Sequence, residues 1–499
     1  MKFRMKRLLL LLVCVMVMGL RTDAQPVGHA SKGESVKSAD GKVTLTCVDR
    51  RLGFGSGPLF DPDVQSPKSA TFSADGKKLY VNSLEGCRTI VYDAATRRKL
   101  KTIKHEFTSG AGPLWLAPSG YYPFTHYKDG ASRPFRGKPV EEALTPDGRY
   151  MFVPYYRRDF DLNAQDPSAL AVIDTRTDEI VLMTETGPLP KMVRVSNDGR
   201  LLAITHWGDN TVGFLDISDP DPKKWHHLPP VTIGHKLNLN YSLTSAVNRD
   251  SGSGFLLRGT VFLPGDSLLL VSGMAGNVNV IDTRKMEWIG TFPQLAAVRH
   301  LTLRGDMLYL SRNSAGEVMT VPVAEVVRAI IEGRPGREFR VKDLRTCKVG
   351  GGARTLKVSP SGKYIFVACN TASALYVVET ASMKVIAKIT ADSFPVGLDI
   401  SPDGRMVVTT SQGRKGAGGG NAVDFFKIDY AEAEPVILPP PSQDTAATDS
   451  TATSASSLQE TAGASLTASR TLLWIGLTAI AAAIVVTVAV MRRKPGRRK

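Results

Sequence analysis

The sequence predicts an all-β fold, a seven-bladed β-propeller, because a hairpin motif recurs seven times and a second landmark follows it at a constant distance. Each copy has an aliphatic run, a tight polar turn with glycine and a second apolar run, which is the pattern of a β-hairpin. The turn glycines are Gly76, Gly148, Gly199, Gly265, Gly305, Gly362 and Gly404.

The second landmark is an apolar run that ends, in most copies, in an acidic residue 17 residues after the turn glycine. The residues at this place are Asp93, Asp216, Asp282, Glu379 and, in the fifth copy, Pro322. In the remaining two copies Asp174 and Asp429 lie 26 and 25 residues after their glycines, which indicates insertions around 157–168 and 413–420. The spacing therefore assigns a third strand to each copy.

A single sheet of three or four short strands cannot bury both of its faces, whereas sheets stacked around an axis can. The predicted propeller spans 41–438, and the segment VTLTCV at 43–48 is expected to close the ring by adding a strand to the last blade. Residues 105–136 are interpreted as an aromatic-rich insertion, although Gly120 leaves an eighth blade as the alternative. A helical pattern near 323–333 predicts one short helix in a loop.

The N-terminus has the order of a secretory signal. Basic residues precede an uncharged run over 8–20, and small residues stand at positions 22 and 24. Residues 1–24 are therefore predicted to be a signal peptide, followed by an N-terminal linker over 25–40.

The C-terminal region predicts a membrane anchor. Residues 471–491 carry no charge, and a helix of that length is about 31 Å long, the thickness of a hydrocarbon core. The basic tail 492–499 is expected to stay in the cytoplasm. Residues 439–470, rich in Ser, Thr and Ala, are predicted to form a flexible stalk. The propeller is thus expected outside the cytoplasm, in the periplasm or at the cell surface.

The net charge of +16 suggests nucleic-acid binding until it is divided along the chain. Residues 1–25 carry +4 and residues 492–499 carry +6, which leaves +6 for everything between them. The charge therefore belongs largely to the targeting and anchoring segments and argues against a nucleic-acid partner.

Three segments resemble YVTN-type β-propeller repeats of the lactonase-like and YncE-like envelope proteins: residues 73–103, residues 359–389 and SPDGRMVVTT at 401–410. The resemblance covers most of 60–430 and implies a propeller fold. It implies no single activity, because that family includes lactone hydrolases, lyases, electron-transfer subunits and surface proteins with no known reaction.

Propellers bind ligands mainly where their innermost strands converge on the central channel. Counting back eight residues from each turn glycine gives Lys68, Val140, Lys191, Leu257, Ala297, Arg354 and Val396. Arg258 and Arg299 lie within two residues of that register. The candidate ligand-binding residues are therefore Lys68, Lys191, Arg258, Arg299 and Arg354, suited to an acidic sugar, a phosphate or a carboxylate. The alternative is that these charges are solvated strand ends.

The catalytic residues of any enzyme activity stay unknown, and Glu141, His300 and Arg354 are weak candidates for lactone hydrolysis. A carboxylate or imidazole would activate water, and the guanidinium would stabilise the developing oxyanion. We predict no metal and no cofactor, since the histidines near 226–235 match no metal-ligand spacing. Cys47, Cys87, Cys347 and Cys369 allow three disulfide pairings that the sequence does not rank.

The expected function is that of a membrane-anchored binding or scaffold module for a protein or glycan partner in the cell envelope. The insertion WLAPSGYYPFTHYKDG, residues 115–130, is the expected partner-binding surface, with packing against the first blade as the alternative. A lactonase-like hydrolase with a basic channel mouth, taking a small anionic ligand, is the second hypothesis.

Overall fold

The computed structural model of the protein describes residues 29–122, 134–161, 164, 166–237, 254–333, 337–414 and 419–432. The predicted signal peptide, stalk, membrane helix and basic tail lie outside these ranges, so they stay predictions. In the described ranges no helix is long and apolar enough to cross a membrane.

Seven sheets follow one another along the described chain, each with four or more strands. Blade 1 holds β3 (Pro67–Phe72), β4 (Lys78–Ser83), β5 (Arg88–Asp93) and β6 (Lys99–Lys104). Blade 2 holds β7 (Glu106–Phe107), β8 (Phe135–Pro139), β9 (Ala143–Leu144), β10 (Tyr150–Arg158), β11 (Ser168–Asp174) and β12 (Glu179–Thr186). Blade 3 holds β13 (Pro190–Val195), β14 (Leu201–His206), β15 (Thr211–Asp216) and β16 (His226–Thr232).

Blade 4 holds β17 (Leu257–Phe262), β18 (Leu268–Gly273), β19 (Val278–Asp282), β20 (Glu287–Phe292) and β24 (Arg337–Glu338). Blade 5 holds β21 (Val298–Arg304), β22 (Met307–Arg312), β23 (Glu317–Pro322) and β25 (Arg345–Lys348). Blade 6 holds β26 (Ala353–Val358), β27 (Tyr364–Cys369), β28 (Ala374–Glu379) and β29 (Lys384–Thr390). Blade 7 holds β30 (Pro395–Ile400), β31 (Met406–Ser411) and β32 (Ala422–Tyr430), with two N-terminal strands, β2 (Val43–Leu52) and β1 (Ser35–Lys37).

The hairpin between the first two strands of a blade is specified by its turn chemistry. Ser73 Oγ donates to Asp75 Oδ1 at 2.6 Å and accepts the backbone N–H of Lys78 at 2.9 Å. Gly76 has a φ of +71°, where a side chain is strained. The same Ser-x-Asp-Gly turn recurs at 196–199 and 401–404. This local chemistry explains why the hairpins can be predicted from the sequence.

The ring closes as the sequence predicts. Strand β2 pairs antiparallel with β32, so the two ends of the described chain share blade 7. Arg50 on β2 donates from Nε to Asp424 on β32 at 2.8 Å and also bonds Asp392, which lies between blades 6 and 7. All three side chains are buried, so the closure is held by an internal ion cluster as well as by the backbone pairing.

The core consists of apolar clusters between neighbouring blades rather than of one central mass. Phe72 and Tyr92 of blade 1, for example, pack with Phe425 of blade 7 in one cluster. Comparable clusters join each of the other adjacent pairs of blades. Each sheet therefore buries both faces against its neighbours, as radial stacking requires.

The predicted short helix is confirmed as α1 (Val323–Glu332), which buries Val326 and Ala329 against blades 4 and 5. The described part of the 105–136 insertion packs against the first blade, since Phe107, Leu114 and Phe135 lie in one cluster with Tyr80 and Val91, and its use as a partner surface stays a prediction. Leu116 N–H bonds Met183 O, and Ser119 donates from its backbone N–H to Glu185 Oε1 at 2.8 Å, so the segment lines the outer edge of blade 2. Residues 123–133 lie outside the described ranges.

Candidate functional site

The innermost strands of six blades begin with the same unusual backbone. The residue directly before each strand has a positive φ between 51° and 79°. Five of the six are not glycine, and a left-handed non-glycine residue costs roughly 1–2 kcal/mol. These residues are Ser66, Leu189, Leu256, Ala297, Gly352 and Phe394. Because this backbone recurs at equivalent places in six blades, it is a repeated property of the blade that the surrounding sheets impose.

A register shift, or β-bulge, follows in each of these strands, starting at the first strand residue. The second strand residue therefore leaves the ladder, since a bulged residue is left unpaired and turned from its normal direction. Five of these second residues are cationic: Lys68, Lys191, Arg258, Arg299 and Arg354, which we call the cation ring. Blade 7 carries Val396 at this position, and blade 2 presents Glu141 and Glu142 just before β9.

The inner strands are neighbours around the channel, β3 beside β30, β30 beside β26, and onward through β21 and β17 to β13. Four members of the cation ring, Lys68, Arg258, Arg299 and Arg354, lie close enough for their charges to interact. Burial, together with the positive charges of Arg354, Arg258 and Arg299, holds the pKa of Lys68 well below its ordinary value. The structure therefore brings these four predicted residues together across the channel, and all but Arg299 are more than nine-tenths buried.

Two of these buried cations lack a partner. Among the described residues, Arg354 Nε is buried with no hydrogen-bond acceptor, and no ion pair joins Lys68 Nζ to a carboxylate. Burial, then repulsion from Arg258, lowers the pKa of Arg354 to about 9. Arg299 Nε also lacks an acceptor within the described ranges, and burial with repulsion from Arg354 keeps its pKa well below the ordinary value.

The carboxylates of blade 2 offset little of this charge. Glu141 Oε1 accepts from Arg258 Nη2 at 3.0 Å and so neutralises one member of the cation ring. Glu142 lies deeper, accepting from Ser69 Oγ at 2.8 Å and from Asn82 Nδ2. Burial raises the pKa of Glu142 to about 8, with help from the charge of Glu141, so this carboxyl is largely protonated at neutral pH. Counted over the described residues alone, the cation ring therefore carries more charge than Glu141 and Glu142 offset.

Lys191 has a different environment from the rest of the cation ring. Its Nζ lies 4.1 Å from the ring centroid of Tyr156 and 4.6 Å from that of Trp207. Cation–π contact of this kind stabilises a partly buried ammonium group. The structure thus places Lys191 at the same strand position as Lys68 but against aromatic rings on blades 2 and 3.

The weak catalytic candidates are only partly brought together. Glu141 and Arg354 share the channel, because each affects the titration of the other members of the cation ring. His300 follows Arg299 on β21 and is buried, and its Nδ1 has no hydrogen-bond partner among the described residues. Burial, then the charges of Lys357 and Arg194, holds the pKa of His300 well below its ordinary value. A neutral imidazole of such low basicity is a poor general base.

Three other histidines, His105, His206 and His227, have side-chain hydrogen bonds within the fold. His105 bonds Thr89 Oγ1 at 2.8 Å and Tyr155 Oη at 2.9 Å, and His227 bonds Thr184 Oγ1 at 2.7 Å. No group of three potential metal ligands occurs in the part of the chain that the structure describes. The four cysteines there are buried free thiols, and burial raises the pKa of both Cys47 and Cys369 to about 12.

Sequence reasoning located the cation ring but missed Glu142, Tyr156 and Trp207. Of these three residues, only Glu142 had a signal in the sequence, because it is an acidic residue next to the candidate Glu141. The two aromatic side chains come from loops and strand ends whose meeting depends on the tertiary fold.

Comparison with solved structures gives the fold. The chain is similar to the Kuenenia stuttgartiensis hydrazine synthase, at 12% identity and a TM-score of 0.50, covering 77% of this chain and 100% of that one. It is equally similar to the β-propeller domain of Myceliophteria thermophila Cps50 (Swd1), at 12% identity and a TM-score of 0.50, covering 76% and 99%. The chain is a seven-bladed β-propeller.

The likeness at 12% identity extends to the fold of this propeller and no further. No family model matches the chain, and no curated protein matches it either. The resemblance of its repeats to the YVTN type therefore stays a prediction.

Proposed function

We propose that the protein is a binding module of the cell envelope whose propeller holds an anionic ligand on the cation ring. The ligand carries a carboxylate or phosphate, either as a small molecule or as part of an acidic glycan. The predicted signal peptide would direct this module out of the cytoplasm, and the predicted C-terminal helix would anchor it to the membrane.

One observation carries the proposal: Lys68 and Arg354 are buried cations with no carboxylate partner among the described residues. Burying a charge costs several kcal/mol unless it is paired. Guanidinium groups bind carboxylate and phosphate through two parallel hydrogen bonds. An anion in the channel would supply the acceptor oxygens for these bonds. Binding would thus remove an unfavourable feature of the free protein.

The test is calorimetric titration of the full chain with succinate, citrate and inorganic phosphate. We expect Lys68→Met and Arg354→Met each to weaken binding of the best anion by roughly tenfold or more, the loss of one charge-assisted hydrogen bond. Lys77→Met is the control, because that side chain is 82% exposed and outside the channel. Absence of binding by all three anions, or an equal loss in the control, would refute the proposal.

Lactone hydrolysis is the second candidate because Glu141 and Arg354 share the channel. Glu141 would have to act as base while its Oε1 already accepts a hydrogen bond from Arg258 Nη2 at 3.0 Å. The present arrangement therefore favours binding over turnover. Hydrolysis of a lactone by the wild-type chain, abolished in Glu141→Gln, would reverse that preference.

A further inference from the structure

One sector of the channel mouth is apolar. Ala164, Leu189 and Trp207 are buried there, and Tyr156, Leu256 and Met274 are half-buried against them. We call these six residues the apolar sector. Leu189 and Leu256 directly precede inner strands β13 and β17, whereas Trp207 and Met274 directly follow β14 and β18. The apolar sector therefore lies at the same end of the channel as the cation ring.

The other blades do not repeat this feature. At the position of Trp207 and Met274, directly after the second strand, blades 5, 6 and 7 carry the polar residues Asn313, Asn370 and Gln412. The turn does not require an apolar side chain at this position, because the same backbone hydrogen bond forms with either kind of residue. The N–H of Met274 donates to Leu256 O in blade 4, and the N–H of Asn370 donates to Gly352 O in blade 6. Both positions, before the first strand and after the second, are apolar in blades 3 and 4, whereas blade 1 has Ser66 with Leu84 and blades 5, 6 and 7 have a polar residue at the second position.

The apolar sector and the cation ring are in contact. Arg299 Nη1 lies 2.8 Å from Met274 Sδ, and Lys191 Nζ lies over the rings of Tyr156 and Trp207. An anionic group bound at Arg299 would therefore lie next to the side chain of Met274, which clusters with Leu256. A fully polar ligand would leave these half-buried side chains against water, whereas an apolar body would cover them.

We propose that the ligand is an anion built on a ring, whose acidic groups bind the cation ring and whose flat apolar face covers Leu256 and Met274. This inference rests on the proposed function and narrows its ligand class. Small anions without a ring would still bind, but more weakly, because they bury no apolar surface.

The test compares two dicarboxylates, phthalate and succinate, by calorimetric titration of the full chain. They have the same number of carboxylates and differ by the aromatic ring. We expect phthalate to bind at least about tenfold more tightly, since covering an aromatic ring removes a large apolar area from water. Equal affinities would overturn the inference while leaving the anion site intact, and failure of both ligands to bind would refute the proposed function itself.

Variants at one position then assign the preference to the apolar sector. Met274→Gln introduces the residue that blade 7 carries at this position, and it should reduce the preference for phthalate over succinate several-fold. Met274→Leu keeps the side chain apolar and should keep the preference. Leu84→Gln is the matched control, because Leu84 follows the second strand of blade 1 and lies outside the apolar sector. A preference that survives Met274→Gln would overturn the inference.

Discussion

Replacing Arg354 with methionine should stabilise the free protein while weakening anion binding. Methionine keeps much of the apolar stem that arginine packs in the channel wall but removes the charge. Most substitutions of buried residues destabilise, because they leave cavities or unpaired groups. Arg354 is expected to differ because its own guanidinium is the unpaired group.

The magnitude follows from the pKa. Burial lowers the pKa of Arg354 to about 9, and each pKa unit corresponds to about 1.4 kcal/mol, so holding the charge costs at most about 4–5 kcal/mol. The cost is fully present below pH 9, where the folded and unfolded chains are both protonated, and it declines above pH 9 as the folded side chain loses its proton. Solvent entry and side-chain relaxation reduce the gain, and we expect about 2 kcal/mol at pH 7.

Urea unfolding at pH 7 and low ionic strength measures this gain directly, and the melting temperature should rise by about 2–4 °C for a chain of this size. Arg50→Met is the matched control, because Arg50 is similarly buried but bonded to both Asp392 and Asp424. It should lose about 3–5 kcal/mol, since two carboxylates are left buried without a cation. A loss of stability in Arg354→Met comparable to that of Arg50→Met would refute the reasoning.

Two further predictions concern stability. Burial lowers the pKa values of His105 and His206 to about 3 and that of His227 to about 4. Below about pH 6.5 the unfolded chain therefore takes up protons at these histidines, whereas the folded chain does not. The free energy of unfolding should consequently fall on acidification by up to about 4 kcal/mol per pH unit. Urea unfolding between pH 7 and 5 checks this, and a flat profile contradicts it. Gly352→Ala should lower the free energy of unfolding by about 2 kcal/mol more than Gly33→Ala does. Both glycines have a positive φ, but only a Cβ at position 352 would meet neighbouring atoms, those of Asn370 and Thr371. Equal losses of stability in thermal unfolding would contradict this steric argument.

The blades were predictable because their signals are local. A Ser-x-Asp-Gly turn satisfies its own backbone through Ser73 and Asp75 in the first copy, so the motif reads the same way wherever it occurs. The closing strand was also predictable, since an isolated β pattern before the first blade can be paired in few ways. The helix over 323–333 followed from its periodicity.

The residues of each inner strand that line the channel were harder to predict, because turn lengths differ between blades. In blade 4 the left-handed position of the turn is taken by Asp266, with a φ of +56°, one residue after Gly265. Counting from the glycine therefore gave Leu257 where the structure places Arg258. In blade 5 the hairpin has only two residues, 305 and 306, so the count gave Ala297 instead of Arg299.

The left-handed starts of the inner strands had no sequence signal. Leucine and phenylalanine do not favour positive φ, yet Leu189 and Phe394 adopt it because the surrounding sheets fix the backbone there. The same holds for Tyr156, whose contact with Lys191 joins residues from two blades. Tertiary packing, rather than local preference, decides these features.

Backbone strain and unpaired charge lie in one three-residue segment of blade 1, where the left-handed Ser66 precedes Lys68 by two residues, and their costs add at one end of the channel. In blade 6 the residue two before Arg354 is Gly352, which adopts a positive φ without strain. The large apolar interfaces between blades can bear this cost, because each sheet buries both faces. An anion that restores the pKa of these cations would recover part of it, so affinity would come from relief of the free protein as well as from new contacts.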